Sequence, residues 1–406
     1  MSESWIARLV RGSVTHRVMV LLVTLLLVVG SSLMAMRLKL DALPDVTNNQ
    51  VLVLTGAPGL SPEEVERLVT RPIETALGGM PRLVELRSIS RYGISAVTAV
   101  FEDDSPPHLA RQITAERLAT VVLPPEVETP ALGPLTGGLG EVFHFSITSS
   151  QRTLSELLEL STLRISPRLR MVPGIVEVNT WGGSDRRLEV RADPLKLASR
   201  KLSLQQLAQG LADSIGATAG ASVPSGSGQA LLRAVFRPHR PEELSALLLP
   251  SVTNGMEHAS DGVPHRLVVG DLAQVTEGEA PRLGAATQDG HGEVVYLMAQ
   301  MLRGENALEV LRGIHERMSE LEKTLPPDVK VQVIYDRSVL VHATLRTVGK
   351  NLLEGGLLVA MVLLLMLGSW RAGLLVALVI PLSMLGAAVA MVLVGVPGNL
   401  MSLGAV

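Results

Sequence analysis

The sequence predicts an α+β membrane protein, and three observations support that prediction. Its 406 residues are 47% hydrophobic and only 18% charged, a more apolar balance than soluble domains normally have. Long uncharged segments lie near both ends of the chain, and between them a strand–helix pattern occurs twice. The net charge of −3 provides no basic excess for nucleic acid, and the lack of cysteine excludes disulfides, thiolate metal sites and cysteine nucleophiles.

Three uncharged segments predict transmembrane helices. They cover residues 18–36, 355–370 and 372–396. As a helix, the first would be about 28 Å long, close to the roughly 30 Å of a bilayer core. A cleaved signal peptide is the alternative for this segment, but the apolar part is too long and no A-x-A site follows it. Pro381 is expected to kink the third helix.

Basic residues predict the orientation of these segments. Arg8, Arg11 and Arg17 precede the first segment, and Arg371 forms a minimal turn between the other two. Because Lys and Arg concentrate on the cytoplasmic side, both places should be cytoplasmic, and the region between the first two spans should lie outside. The chain ends on "LMSLGAV", which starts a fourth helix but is too short to cross a bilayer. A chain cut within a transmembrane helix is therefore expected.

The region between the first two spans contains an internal repeat. "MPRLVEL" at 80–86 is similar to "VPGIVEV" at 172–178, and "LPPEV" at 123–127 to "LPPDV" at 325–329. Each copy predicts the strand and helix order βαββαβ, which is that of a ferredoxin-like subdomain. In the first copy, Ser61 and Glu64 predict a capping box at the start of a helix. The longer interval between the second pair indicates an insertion in the second copy.

The insertion runs from about Ser184 to Arg282 and has a strand and helix pattern of its own. "RRLEVRA" predicts a strand, and "DPLKLASRKLSLQQLAQGLADSIG" predicts a helical stretch. The Gly- and Ser-rich segment "AGASVPSGSG" at 219–228 predicts an exposed hairpin tip or a flexible arm.

Several motifs, in order along the chain, are specific to one family. They are "LDALPDVTNNQVLVLTGAPGLSPEEVE", "TRPIE", "SISRYGISAVTAVFED", "GPLTGGLGEV", "VPGIVEVNTWGG" and "GNLMSLGA". With these motifs the sequence resembles the heavy-metal efflux branch of the resistance–nodulation–cell division (RND) transporters, nearest to the cobalt–zinc–cadmium type. The resemblance extends from end to end, and it implies a secondary active transporter, a proton/cation antiporter, and not an enzyme.

The resemblance also implies a domain organisation. Residues 1–37 would form a cytoplasmic amphipathic start and transmembrane helix 1, and residues 38–135 the first periplasmic porter subdomain. A docking insertion at 184–283 would divide the second porter subdomain into 136–183 and 284–336. Residues 337–406 would contain transmembrane helices 2 and 3 and the truncated start of helix 4.

The implied setting is the bacterial inner membrane, with several passes through the bilayer and a large periplasmic segment. A homotrimer would work with a periplasmic adaptor (membrane fusion) protein and an outer-membrane channel. No cofactor is expected, and a divalent metal ion would be the transported substrate. The resemblance places the proton-relay carboxylates beyond Val406, and the three spans have no ionisable residue between their flanking residues. This chain alone is therefore not expected to be a working antiporter.

Glu141, in "GLGEVFHF", is the candidate residue of the substrate pathway. The resemblance implies a glutamate here in Zn/Co-type relatives, where the first porter subdomain meets the second, and a carboxylate suits a hard or borderline divalent ion. A surface glutamate at the start of a strand is the alternative, of equal weight. His144 lies three residues further on, so strict alternation along a strand directs it away from Glu141. We expect a partly buried or surface histidine there and not a co-ligand.

Other functions are compatible with the sequence. A multidrug-type permease of the same superfamily usually has an aromatic-rich pocket, and only four phenylalanines occur here. A non-transporting membrane scaffold that needs a separate C-terminal half predicts a second reading frame that begins within the fourth helix. A broken gene without a function of its own is the third possibility.

Overall fold

The computed structural model describes residues 12–41, 44–225, 228–249, 267–282, 284–290, 292–367 and 370–405. Contacts divide the chain into two compact units. Unit 1 consists of Met1–Ile147, Thr162–Thr180 and Tyr296–Val406, and unit 2 of Thr148–Ser161 and Trp181–Val295.

The first sheet of unit 1 has four strands in the order β2-β3-β1-β4. They are β1 (Asn49–Gly56), β2 (Leu83–Arg91), β3 (Ile94–Phe101) and β4 (Ala131–Leu132). All neighbouring pairs in this sheet are antiparallel, including the predicted pair β2 and β3. Helix α2 follows β1 in three consecutive segments, Pro62–Val65, the π-helical Glu66–Thr70 and Arg71–Leu77, and α3 is Pro107–Leu118. Valines 51 and 53 of β1 and Phe101 of β3 lie in the core against α2.

Helix α2 begins with the predicted capping box. Ser61 Oγ accepts the N–H of Glu64, and the Glu64 carboxylate accepts the N–H of Ser61 at 2.9 Å. Its fully buried residues lie at steps of four: Val65, Val69, Ile73 and Leu77. In a regular α-helix each step of four places a residue about 40° further around the axis. The wider π-helical turn at Glu66–Thr70 reduces this drift, so all four side chains reach the core.

The second sheet has the strand order β11-β12-β5-β13, and β6 also pairs with β12. Its strands are β5 (Thr136–Ser149), β6 (Ile175–Trp181), β11 (Ala286–Thr287), β12 (Glu293–Leu302) and β13 (Val329–Asp336). Helix α4 follows β5 as Leu154–Leu160, the π-helical Ser161–Ile165 and Ser166–Arg170, and α9 is Ala307–Glu322. The buried residues of α9 recur at steps of three and four and form one apolar face: Ala307, Val310, Leu311, Ile314, Met318 and Leu321.

Unit 2 contains a two-stranded sheet and a hairpin. Its elements include β7 (Arg186–Ala192), α5 (Pro194–Ser199), α6 (Leu204–Ser214), β8 (Gly216–Ser225), β9 (Gly228–Phe236), α7 (Pro241–Ser245), α8 (Val269–Leu272) and β10 (Ala273–Glu279), besides β11 and the first segment of α4. β7 pairs antiparallel with β10, and a leucine-rich core that includes Leu197, Leu207 and Leu272 packs beside them. β8 and β9 form the predicted hairpin, but most of the segment predicted as its tip is strand, and residues 226–227 lie outside the described residues.

Among the described residues of unit 1, four helices are apolar over all or part of their length. They are α1 (Arg17–Ala35), α10 (Arg337–Leu367), α11 (Trp370–Val394) and α12 (Leu400–Ala405). α11 packs against both α1 and α10 and contains Pro381. Within the described part of the chain, α1 and residues 337–366 are long and apolar enough to cross a membrane, with mean hydropathies of 2.6 and 1.7. A shorter apolar stretch, Leu378–Val394, lies within α11.

Candidate metal-pathway site

Three adjacent strands of unit 1 bring together four polar residues. β5 lies between β12 and β13 in the sheet, and it carries Glu141 and His144. Tyr296 lies on β12, and Tyr335 lies on β13. The chain contains three tyrosines in total, so two of the three meet at His144. Neither tyrosine is predicted as a site residue from the sequence, and the scarcity of tyrosine is the one sequence feature that distinguishes them.

Glu141 and His144 face each other, so the prediction that His144 is directed away from Glu141 was wrong. Glu141 Oε2 lies 3.4 Å from His144 Nε2, and the two side chains are 46% and 14% exposed. The prediction assumed strict alternation along the strand. Val142 and Phe143 are both buried, however, so the alternation of buried and exposed positions is interrupted between the two residues. His144 is partly buried, as expected.

The imidazole of His144 contacts a tyrosine from each of the two neighbouring strands. Its Nδ1 is 2.7 Å from the hydroxyl oxygen of Tyr296. The ring meets the Tyr296 ring edge-on at a centroid distance of 5.8 Å and the Tyr335 ring at 5.0 Å. Its Nε2 is buried and has no hydrogen-bond partner among the described residues, and the nearest carboxylate oxygen of Glu141 lies 3.4 Å away.

Burial and charge act on the titration of this cluster. Burial lowers the pKa of His144 below its ordinary 6.5, and the opposing effect of the Glu141 charge is smaller. The imidazole is therefore neutral near pH 7, which leaves one ring nitrogen free to act as a Lewis base. Burial, and after it the charge of Glu141, raises the pKa of Tyr296 above 10.0, so its phenol keeps its proton.

A second polar cluster lies at the joint between β13 and α10, directly beside the strand that carries Glu141. The Arg337 guanidinium is only 3% exposed, and its Nε lies 2.9 Å from Asp41 Oδ1. The two groups form an ion pair, but the Nε–H bond does not point toward the carboxylate oxygen well enough for a hydrogen bond. Arg337 Nη1 donates to the carbonyl of Leu139, two residues before Glu141. Arg337 is the first residue of α10, and this hydrogen bond therefore links the start of the helix to the N-terminal part of β5.

A second arginine, Arg303, forms an ion pair and a hydrogen bond in the same region. Arg303, just after β12, donates from Nε to Asp45 Oδ2 and from Nη2 to the carbonyl of Thr47, both at 2.8 Å. Partial burial raises the pKa of Asp45, but hydrogen bonds within its own turn and the charge of Arg303 outweigh that effect and lower it. Lys39 donates to the carbonyl of Gly304. These groups line a cavity of about 530 Å³ within unit 1.

Among the described residues, no group of three or more His, Cys, Asp or Glu side chains could enclose a metal ion. His315 Nε2 lies 2.9 Å from Asp336 Oδ2, which forms a second histidine–carboxylate pair in unit 1. The Glu141–His144 pair differs from it, because His144 is fixed by two tyrosines and its Nε2 is buried.

Comparison with known proteins identifies the class. Residues 9–406 match the AcrB/AcrD/AcrF family of RND efflux transporters, and the chain therefore belongs to that family. It is similar to a solved heavy metal efflux pump (crystal form II), with a TM-score of 0.87 and 34% identity over 98% of this chain and 39% of that one.

The relatives place the chain with the heavy-metal cation efflux branch. It is 40% identical over 98% of its length to Protein HelA of Legionella pneumophila, of which it covers 38%. It is 36% identical over 98% of its length to the nickel-cobalt-cadmium resistance protein NccA of Alcaligenes xylosoxydans xylosoxydans, of which it covers 39%. The cobalt-zinc-cadmium resistance protein CzcA of Cupriavidus metallidurans is 37% identical over 91% of this chain, which covers 35% of it. The chain thus spans 35–39% of the length of these relatives.

Proposed function

We propose that the chain is part of a proton-driven RND permease that exports divalent heavy-metal cations across the bacterial inner membrane. The similarity to proteins named for nickel, cobalt, cadmium and zinc resistance supports this class of cargo. The Glu141–His144 pair is the observation that carries the proposal for this chain. It combines an accessible carboxylate with an imidazole nitrogen that has no hydrogen-bond partner among the described residues, and borderline divalent cations bind both kinds of ligand.

The proposal assigns a transit role to Glu141. A cation that moves through a transporter must be bound and then released, so a position with few protein ligands suits transit better than a closed site does. Glu141 is 46% exposed, so one carboxylate oxygen can accept a cation from solvent. Four-ligand structural sites, in contrast, hold their metal permanently.

The proposal includes the architecture implied by the resemblance. The two sheets would be ferredoxin-like porter subdomains, and the strand orders β2-β3-β1-β4 and β6-β12-β5-β13 support this because the repeat predicts equivalent strands in these places. Unit 2 would contain the docking insertion. Helices α1, α10 and α11 would cross the membrane, which their length and apolar composition support.

The proposal also includes partners. The permease would assemble as a homotrimer with a periplasmic adaptor and an outer-membrane channel, so that cations leave across both membranes. Cross-linking in cells at the native locus, followed by mass spectrometry, would detect these partners.

The test is metal tolerance in a strain that lacks the gene encoding this chain, with each variant restored at the native locus. Deletion should raise sensitivity to zinc, cobalt, nickel or cadmium and increase cellular metal content measured by mass spectrometry. Glu141→Gln should reproduce the deletion, because it keeps the size of the side chain and removes its charge. A protonophore should abolish export in cells with the wild-type gene.

Glu177→Gln is the matched control, because Glu177 lies on β6 of the same sheet and is paired with Arg170 at 3.7 Å. This variant should keep full metal tolerance. A deletion strain that loses tolerance to drugs but not to metals would contradict the proposed cargo. Full metal tolerance with Glu141→Gln would contradict the role of that residue.

A further inference from the structure

One ring nitrogen of His144 is buried and has no hydrogen-bond partner among the described residues. A buried ring nitrogen normally has a hydrogen-bond partner, because an unpaired polar atom costs free energy. The unpaired nitrogen of His144 is Nε2. The other ring nitrogen, Nδ1, is occupied by the Tyr296 hydroxyl at 2.7 Å. The unpaired nitrogen therefore lies on the side of the ring nearest Glu141.

The distance between the two side chains matches the space between two ligands of one cation. Zinc binds imidazole nitrogen at about 2.0–2.1 Å and carboxylate oxygen at about 2.0–2.2 Å, usually in a tetrahedron. Two ligands at about 2.1 Å with a tetrahedral angle are separated by about 3.4 Å. Glu141 Oε2 and His144 Nε2 are 3.4 Å apart. Octahedral neighbours at the same bond length would be only about 3.0 Å apart.

Tyr296 is placed to select the tautomer of His144. Metal-bound histidines almost always donate their other N–H to an oxygen, which fixes the ring and the tautomer. If Nδ1 donates to the Tyr296 oxygen, Nε2 has its lone pair free. The edge-on Tyr296 ring and the tilted Tyr335 ring restrict rotation of the imidazole.

We propose that Glu141 Oε2 and His144 Nε2 form a two-ligand site for a borderline divalent cation such as Zn²⁺ or Co²⁺, with Tyr296 as the positioning residue. The inference rests on the proposed function and deepens it by naming His144 as the second ligand and Tyr296 as the residue that positions it. One imidazole and one carboxylate favour borderline cations over Cu(I), which prefers sulfur, and over Mg²⁺ and Ca²⁺, which prefer oxygen alone. Water would complete the coordination.

The test is metal binding by the full chain in detergent micelles, with Co²⁺ as a spectroscopic probe and Zn²⁺ as its competitor. Four-coordinate Co²⁺ absorbs visible light much more strongly than six-coordinate Co²⁺. The wild-type chain should bind Co²⁺ with a strong band that Zn²⁺ displaces. Glu141→Gln and His144→Gln should each remove this band and weaken Zn²⁺ binding at least tenfold.

Two further variants separate the ligands from their surroundings. Tyr296→Phe keeps the ring and removes the hydroxyl, so it should weaken Zn²⁺ binding about tenfold and shift the Co²⁺ band. A role of Tyr296 in packing alone would leave the band unchanged. His315→Gln is the matched control, because His315 also lies beside a carboxylate in unit 1. It should bind both metals as the wild type does.

A misfolded His144→Gln would be recognised by circular dichroism, and His144→Cys then replaces it. A thiolate is softer than imidazole, so His144→Cys should raise the ratio of Cd²⁺ to Zn²⁺ affinity at least tenfold, and an unchanged ratio would overturn the proposal. Equal Zn²⁺ affinity of the wild type and a folded His144→Gln would also overturn it. That result would leave the proposed cargo standing, because unchanged metal tolerance of the deletion strain is the outcome that refutes the cargo.

Discussion

The Arg337–Asp41 pair permits a quantitative prediction about the joint between β13 and α10. Asp41→Asn would leave the Arg337 guanidinium without its counter-ion while only 3% of the arginine side chain is exposed. Removal of one partner of a buried ion pair costs about 3–5 kcal/mol. Asp41 is 20% exposed, so water can partly replace the lost charge. We therefore expect the lower end of the range, about 3 kcal/mol.

Hydrogen exchange with mass spectrometry measures this cost locally. A loss of about 3 kcal/mol corresponds to roughly a hundredfold faster exchange, since about 1.4 kcal/mol is a factor of ten. The acceleration should appear in peptides that cover residues 39–41 and 337–343. The N–H of Asp41 donates to the carbonyl of Gly398, and Val341 is buried, so both segments are protected in the native state.

Asp45→Asn is the matched control, because it removes the carboxylate of the other ion pair that lines the same cavity. Asp45 and Arg303 are 36% and 27% exposed, and pairs that are open to solvent contribute about 0–1 kcal/mol. Exchange should therefore accelerate no more than about fivefold in this variant. Equal acceleration in the two variants would refute the argument that burial of Arg337 decides the cost.

Three further predictions concern acid stability, a buried hydroxyl pair and the sheet core. Because hydrogen bonds and Arg303 lower the pKa of Asp45 below 3.8 despite partial burial, its stabilisation is present above pH 3.8 and lost as the pH falls through the lower folded-state value. The melting temperature of Asp45→Asn should therefore fall less than that of the wild type as the pH is lowered through this range. Thr70→Val should cost about 1–3 kcal/mol in urea unfolding, because it leaves the buried Ser95 hydroxyl without its 2.8 Å bond. Phe145→Ala should cost about 3–5 kcal/mol in the same assay, because its side chain is fully buried.

Each of these predictions has an outcome that would contradict it. Asp45→Asn and wild-type melting curves that fall in parallel with acid would rule out the contribution of Asp45. Thr75→Val is the control for Thr70, because Thr75 lies on the same helix and its hydroxyl is exposed, and an equal loss in both would reject the burial argument. Val84 is 67% exposed, so Val84→Ala should cost less than about 0.5 kcal/mol, well below Phe145→Ala.

Local features of the fold could be predicted because their signals are local in sequence. The capping box at Ser61 and Glu64 is one example, and strand β7 over Arg186–Ala192 is another. The start of α10 is different. Hydropathy marks only the apolar segment from Gly355 onward, whereas the helix begins at Arg337 in a segment with charged residues. Contacts of Arg337 with Asp41 and Leu139 hold this end, and hydropathy does not report such contacts.

Glu141 could be proposed from sequence, but its surroundings could not. His144 and Tyr296 are 152 residues apart, and the predicted insertion lies between them. Only the pairing of β12 and β13 on either side of β5 brings the tyrosines to the imidazole. The relation of His144 to Glu141 depends on an interruption of strand alternation at Val142 and Phe143, for which residue type offers no local signal.

The direct passage from β13 to α10 has a mechanical consequence. Asp336 ends the strand and Arg337 begins a helix of 31 residues, so no loop separates the two elements. Such a helix is about 46 Å long, and a tilt of about 5° would move its far end by about 4 Å. Close to the pivot the same rotation moves atoms by only a few tenths of an ångström. A tilt of this helix would therefore move residues beside Arg337 by distances comparable to the tolerance of about 0.2 Å in metal–ligand bonds.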